Sequence, residues 1–360
     1  MKAAILRSVG SPLSIEDVAI SKPGPREVLI RTAATGVCHS DLHFYEGSYP
    51  TRLPTILGHE SAGVVEAVGS EVRSVQPGDH VVTCLSAFCG HCDHCVSGHI
   101  SRCVSPETQR AKTDEPRLGD SAAPMTQFLH LSAFAEQMLI HENACVKIRP
   151  DMPLDRAALL GCAVITGYGA ITYTAQVRPG ETVAVIGCGG IGLCAINAAA
   201  LAGAGRIIAI DRIAEKEDLA RRFGATDFID ASDGQAVARI IEMTRGGVDH
   251  AIEAIGLAKT AEDAFTMLRR GGTATIVGMI PVGQKVSLNG YEFLAEKSLK
   301  GSNMGSNRFP VDIPRLVDFY MAGRLRLDEL ISRRIGLHQI EEAFAEMKGG
   351  NIARSVITFA

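Results

Sequence analysis

The stretch Val183–Asp211, VAVIGCGGIGLCAINAAALAGAGRIIAID, constrains this chain more than any other. An apolar run enters Gly187-Cys188-Gly189-Gly190-Ile191-Gly192. An uncharged Ala/Leu-rich segment follows, then a second apolar run, Ile207–Ile210, ending in Asp211. Strand, tight turn, helix, strand and acid in this order predict a dinucleotide-binding βαβ unit within a doubly wound parallel sheet. Gly187 permits the sharp turn, Gly189 lets backbone N–H groups approach a pyrophosphate, and Gly192 lets the helix pack close to the strand; Gly190 completes the candidate phosphate-binding turn. The helix N-terminus adds a partial positive charge. Asp211, nineteen residues after Gly192, stands where an acid accepts the adenosine ribose hydroxyls. Its charge repels a 2′-phosphate, so NAD is expected over NADP, although Arg212 beside it keeps the phosphorylated cofactor open.

At 360 residues the chain exceeds one ordinary hydrophobic core, and two domains are expected. A net charge of −4 without a basic block argues against nucleic acid and anionic membranes as partners. Met1-Lys2-Ala3-Ala4-Ile5-Leu6-Arg7 is too short and too soon charged for a secretory signal, so a cytoplasmic location is expected. Thr182–Gly205 carries no charge and has the length of a membrane span. Its six glycines and strand-turn-helix grammar favour a buried βα unit.

Up to about residue 160 the sequence reads as short strands and loops, with alternating runs such as Glu27–Arg31 and Ala62–Val68 and Pro-Gly turns at Pro23 and Pro77. From about residue 164 strands and helices alternate. A helix is expected over Glu215–Phe223, a strand over Val248–Ala254, a helix over Thr260–Arg270 and a strand over Thr273–Gly278. The tail predicts helices at Ile313–Met321 and His338–Met347 and a strand at Ser355–Phe359, rejoining the first domain. Residues 104–128, polar and Pro-containing, read as a long surface loop.

Four of the ten cysteines, Cys89, Cys92, Cys95 and Cys103, fall within fifteen residues. Four soft donors so close together suit a closed, tetrahedral structural zinc in a reducing compartment rather than disulfides. A bacterial ferredoxin cluster requires three residues before the last cysteine and a proline after it; here there are seven, and Val104 follows. A c-type haem requires His directly after CxxC, where Asp93 and Val96 stand. Cys38, His59-Glu60 and Cys162 form no motif by spacing, since a lone cysteine is usually a small core residue. HExxH also fails, because Gly63 occupies the place of the second His. Cys84, Cys145, Cys188 and Cys194 read as packing residues, with Cys188 open to exposure and oxidation in the glycine turn.

From end to end the sequence is similar to the zinc-dependent medium-chain alcohol dehydrogenases. The matching segments are GVCHSD at 36–41, GHESAG at 58–63, the four-cysteine lobe, GCAVITGYGA at 161–170 and the GCGGIG turn. The resemblance implies a GroES-like, mostly-β catalytic domain, 1–163 with 304–360, carrying the lobe at 89–103. It also implies a Rossmann NAD-binding domain at 164–303, with the active site in the cleft between. Cys38, His59 and Cys162 match the catalytic zinc ligands, a Cys2His set among the known catalytic zinc sites. Glu60 matches an acid behind the metal that is an occasional ligand or a tuner of charge. Asp41 matches the acid that orients the ligand His, and Ser40 and His43 match a proton relay. Thr166 matches a nicotinamide contact, while Lys216 and Arg354 match positions that reach the adenosine ribose and the pyrophosphate. Three protein ligands leave one position where a bound alcohol becomes more acidic and yields hydride to NAD.

Two departures stand out. His39 occupies a position where many relatives have an Arg for the pyrophosphate, which predicts a pH-dependent cofactor grip. Glu107 stands where the glutathione-dependent formaldehyde branch has an Arg for a glutathione carboxylate, which makes S-hydroxymethylglutathione the weaker substrate reading. Leu85, at a pocket-wall position that is often aromatic, suggests room for a larger apolar alcohol. The resemblance further suggests a homodimer joined near Lys300–Ser306, and a nicotinoprotein with permanently bound NAD is a variant reading.

Overall fold

A computed structural model describes residues 1–119, 122–350 and 352–359. The chain divides into two units, Met1–Ala163 with Arg308–Ala360, and Val164–Asn307.

The first unit is mostly β. In order it contains β1 (Lys2–Leu6), β2 (Ser14–Asp17), β3 (Glu27–Val37), β4 (Thr55–Ile56), β5 (Ser61–Val68), β6 (His80–Thr83), β7 (Thr126–Gln127), β8 (Gln137–His141) and β9 (Cys145–Lys147). The central strand β3 pairs antiparallel with both β5 and β8. Its last four residues, Thr35-Gly36-Val37 and the preceding Ala34, are all buried, because the strand is covered on both faces where it runs into Cys38. One apolar core gathers Ala3, Ile5, Val37, Leu57, Phe134 and Phe344, and a second gathers Val28, Ile30, Val65, Val81 and Ile140.

The second unit, contiguous in sequence, holds β10 (Thr182–Ile186), β11 (Arg206–Asp211), β12 (Asp227–Asp230), β13 (Val248–Glu253), β14 (Leu268–Ile276) and β15 (Ser298–Gly301). These form one six-stranded sheet, ordered β12-β11-β10-β13-β14-β15, parallel throughout. The near-continuous apolar strands VAVI and IIAI are what a sheet buried on both faces requires. The helix Gly190–Leu201 is apolar all round and buried from Gly192 to Ala199. Among the described residues no single helix is long and apolar enough to cross a membrane.

After the second unit the chain returns to the first. A helix at Phe309–Met321 and another at Ile340–Gly349 flank β16 (Ile331–Ile335), and β17 (Arg354–Thr358) closes the tail. β17 pairs antiparallel with β3, Ser355 opposite Val37, so the last strand lies beside the one that delivers Cys38.

Several element boundaries differ from those expected. The helix foreseen over Thr260–Arg270 is Ala258–Thr266, and β14 begins already at Leu268, because Gly271 and Gly272 are absorbed into an irregular strand start. The strand β12 and the helix Ala236–Thr244 carry short or weakly apolar segments and were not foreseen. Residues 104–119 and 122–128 are less superficial than the polarity of the expected 104–128 loop suggests; positions 120 and 121 lie outside the described residues. Arg110 and Arg117 both reach the buried carboxylate of Glu27, at 2.6 and 2.7 Å, and this clasp buries Thr108, Arg117 and Leu118.

Candidate active site

Three separate turns bring Cys38, His59 and Cys162 together. Cys38 follows β3 and stands at the N-cap of the helix His39–Tyr45, and His59 lies just before β5. Cys162 follows the helical segment ending at Gly161, where a Cβ would stand 2.4 Å from the Thr83 carbonyl oxygen. The donor atoms of the three lie within 4.8 Å of one another, all buried, and His59 Nε2 is 3.3 Å from Cys162 Sγ.

Asp41 organises this constellation. Its Oδ2 accepts from the Cys38 N–H at 3.1 Å. Its Oδ1 accepts from the Gly58 N–H at 3.0 Å and lies 2.9 Å from His59 Nδ1. The last contact fixes the imidazole with its proton on Nδ1 and frees Nε2 as a donor to a metal. Burial opposes a charge on His59, but Asp41 and then Cys38 outweigh it and raise its basicity well above the usual value. Between the two cysteines one thiolate is favoured. A hydrogen bond with Cys162 holds Cys38 well below the ordinary thiol range despite burial, with the charges of Arg354 and His59 assisting.

Glu60, expected as an occasional ligand, is not among the three donors. Its Oε1 accepts from the Ala163 N–H at 2.8 Å, and its Oε2 faces Arg354 Nε at 3.4 Å. The N–H and the guanidinium draw the carboxylate away from the cysteines. Burial pushes Glu60 up to about 7, with Arg354 limiting the rise. A Cβ on Gly36 would lie 2.3 Å from Oε2, so only glycine leaves room for this carboxylate. Arg354 is itself buried and donates from Nη1 to the Val37 carbonyl at 3.1 Å. Sequence reasoning gave it to the cofactor and missed this partnership, for which the only sequence signal is a lone Arg at the start of an apolar strand.

Ser40 Oγ lies 3.7 Å from Cys38 Sγ. His43, three residues on along the same helix, is half-buried with its ring 5.9 Å from that of Tyr49, and burial lowers its basicity. His39 sits exposed at the first position of that helix. Leu85 packs half-buried against the second core of the first unit.

The four lobe cysteines also converge within 4.8 Å. Their sulfurs are separated by 3.5 Å (Cys92–Cys95), 3.7 Å (Cys89–Cys103) and 3.9 Å (Cys89–Cys95 and Cys92–Cys103). Bond lengths of zinc to sulfur and nitrogen place tetrahedral donors about 3.5 to 3.8 Å apart. Both donor sets fit that ion, the lobe with four donors and Cys38–His59–Cys162 with three. Glu107 is paired with His91 at 2.6 Å on the lobe surface.

In the second unit Gly187 adopts φ +98°, and a Cβ on Gly192 would stand 1.7 Å from the Gly187 carbonyl oxygen, the close helix–strand approach foreseen from sequence. Beside Gly189, at the helix N-terminus, a Cβ would meet nothing within 4 Å, leaving space for a phosphate. Asp211 does more than end β11. Its Oδ2 accepts from the Cys188 N–H at 2.7 Å and from Lys216 Nζ at 3.0 Å, and its Oδ1 from the Ile213 N–H at 3.1 Å. The acid therefore braces the glycine turn. Cys188 is not exposed as expected: its side chain turns inward, 1% accessible, and burial pushes its thiol up to about 12. Thr166 is buried with its hydroxyl 3.6 Å from Met304 Sδ.

Residues 24–150 match the alcohol dehydrogenase GroES-like domain model, and residues 190–320 match the zinc-binding dehydrogenase model. The chain is 37% identical over 367 residues to the S-(hydroxymethyl)glutathione dehydrogenase of Saccharomyces cerevisiae, covering 99% of this chain and 95% of that one. It is 37% identical to the class-3 alcohol dehydrogenase of Myxine glutinosa, covering 99% and 97%. The crystal structure of benzyl alcohol dehydrogenase from Acinetobacter calcoaceticus superposes with a TM-score of 0.94 at 31% identity, covering 100% and 99%.

Proposed function

Because the chain belongs to the zinc-dependent medium-chain alcohol dehydrogenases, enzymes that move hydride between an alcohol and NAD, we propose that its substrate is a primary or aromatic alcohol, oxidised to the aldehyde. The observation that carries this reading is the buried Cys38–His59–Cys162 set, three donor atoms within 4.8 Å of one another. These residues would hold the catalytic ion, and Cys89, Cys92, Cys95 and Cys103 a structural one. Zinc supplies the Lewis acidity that lowers the hydroxyl pKa, and NAD accepts the hydride.

The rest falls to the protein. Asp41 keeps the imidazole of His59 in one tautomer and orientation. Glu60 and Arg354 set the charge behind the donors. Ser40 takes the hydroxyl proton, and His43, whose basicity burial lowers, passes it toward solvent. Gly187, Gly189, Gly190 and Gly192 cradle the pyrophosphate, Asp211 and Lys216 the adenosine ribose, and Thr166 the nicotinamide amide.

A second reading, oxidation of S-hydroxymethylglutathione, is favoured by the name of the Saccharomyces cerevisiae relative. Glu107, an acid at the lobe position of the carboxylate-binding Arg, argues against it. The deciding experiment measures kcat/KM for benzyl alcohol, a series of primary alcohols, and formaldehyde with and without glutathione, using NAD and NADP. Activity that requires glutathione would replace the first reading with the second. NAD that stays bound through gel filtration would mark a nicotinoprotein.

We also infer a homodimer. β15 is the sheet edge, a row of unpaired backbone groups, and before it Val282, with Tyr291 and Leu294 in the 3-10 helix Gly290–Ala295, are 68, 77 and 74% exposed. A cytoplasmic, reducing location is consistent with ten free thiols.

A further inference from the structure

Glu253, the last residue of β13, is wholly buried, although the chemistry described so far makes no use of it. Its Oε1 accepts three hydrogen bonds, from the Ile255 N–H at 2.9 Å, the Gly256 N–H at 2.7 Å and the Thr260 hydroxyl at 2.7 Å. Its Oε2 is buried without a hydrogen-bond partner among the described residues, and a Cβ on Gly278 would stand 2.6 Å from it. The backbone carbonyl of Glu253 meanwhile accepts from Val277 N–H at 2.9 Å and Gly278 N–H at 3.0 Å. One residue thus ties together the loop after β13, residues 254–257, and the loop after β14, residues 277–279. The loops touch so closely that a Cβ on Gly256 would lie 2.6 Å from the Met279 carbonyl oxygen.

Burying a carboxylate is costly, and a glutamine of the same shape would offer the same three donors an oxygen without that cost. What the charge adds is strength, since hydrogen bonds to an ionised acceptor are roughly twice as strong as neutral ones. The loop so fastened lies against the phosphate-binding turn. Ala254 N–H donates to the Ile186 carbonyl at 2.9 Å, and a Cβ on Gly187 would stand 2.7 Å from Ile255 Cγ1. β10 and β13 are neighbours across the point where strand order reverses, and open α/β sheets bind their ligands outside the carboxyl ends of such strands. There Ile255 keeps 44% of its surface exposed while its backbone is held fast.

We propose that Glu253 is a positioning residue of the dinucleotide site. Its carboxylate locks residues 254–257 against Gly187 and residues 277–279, holding Ile255 as a fixed apolar wall, so that the cofactor binds without first ordering these loops. The proposal rests on the reading of Val183–Asp211 as the cofactor site.

The test is a fluorescence titration of NADH into full-length, zinc-loaded enzyme: wild type, Glu253→Gln, Thr260→Val and, as a control, Gly192→Ala. Loss of one charge-assisted bond network predicts an NADH Kd about tenfold weaker for Glu253→Gln and about threefold weaker for Thr260→Val. Zinc content and melting temperature should stay close to wild type, while the KM for NAD rises in step with the NADH Kd. An NADH Kd unchanged in both variants overturns the proposal, as does weakening that merely tracks a falling melting temperature. If Glu253→Gln does not fold, Thr260→Val decides alone. Gly192→Ala, whose Cβ would stand 1.7 Å from the Gly187 carbonyl oxygen, should weaken NADH binding through the glycine turn itself; wild-type enzyme that binds no NADH would overturn the cofactor-site reading.

Discussion

Asp41 Oδ1 lies 2.9 Å from His59 Nδ1, and the same carboxylate holds the backbone of both Cys38 and Gly58. One fully buried side chain therefore sets the position of two of the three candidate zinc ligands.

Asp41→Asn removes one of these acceptors by presenting an NH2 to an N–H. Metal affinity at the catalytic site and kcat/KM should both fall by about 10- to 100-fold, as for other groups that orient a ligand histidine. Zinc analysis should then show the lobe metal retained and the catalytic metal lost first on dialysis against a mild chelator. Equal loss from both sites would contradict this.

The lobe predicts the opposite selectivity. Cys103→Ser breaks a four-sulfur set whose members lie 3.7 and 3.9 Å from Cys103 Sγ. Zinc should drop from two ions per chain to one and the melting temperature should fall, while Cys38, His59 and Cys162 keep theirs.

At the cofactor site Asp211→Ala removes the acid and leaves Lys216, its partner at 3.0 Å, free to meet a 2′-phosphate. The preference for NAD over NADP in kcat/KM should fall by at least about tenfold. The Cys188 and Ile213 N–H groups lose their acceptor, so stability should fall by about 1–3 kcal/mol. Both quantities are measurable on one preparation.

His141 makes a pH prediction away from either metal set. It is buried, and its Nδ1 accepts from the Asn143 N–H at 3.0 Å. Burial, then Arg26 and Arg117, push it down to about 4. The unfolded chain takes up a proton near pH 6.5 that the folded one refuses until about pH 4. The unfolded state therefore binds more protons in that window, and this residue's contribution to stability is lost as pH falls from about 6.5 toward 4. His141→Gln should flatten that part of a melting temperature against pH curve. An unchanged slope would show that His141 does not carry it.

The glycine turn and the cysteine lobe were legible because each is a local device: residues a few places apart do one job together. The second cysteine set was legible only through family resemblance, since Cys38, His59 and Cys162 meet through three turns far apart in sequence. What stayed hidden were pairings whose partners are remote or look ordinary. Arg354 and Glu60 are almost three hundred residues apart, and Glu253 reads as the polar end of a strand. Arg110 and Arg117 sit in a stretch whose polarity reads as surface, yet their shared anchor, Glu27, is buried. Charge in sequence reports the cost of burial but not the partner that offsets it.

The return of β17 to β3 has a consequence for how the first unit is completed. Its sequence is interrupted by the second unit, and Arg354 must meet Glu60 and Val37 before the wall behind the candidate zinc ligands is whole. Unpairing β17 from β3 would strip the Cys38–His59–Cys162 set of its charged backing while the six strands of the second unit keep their own partners.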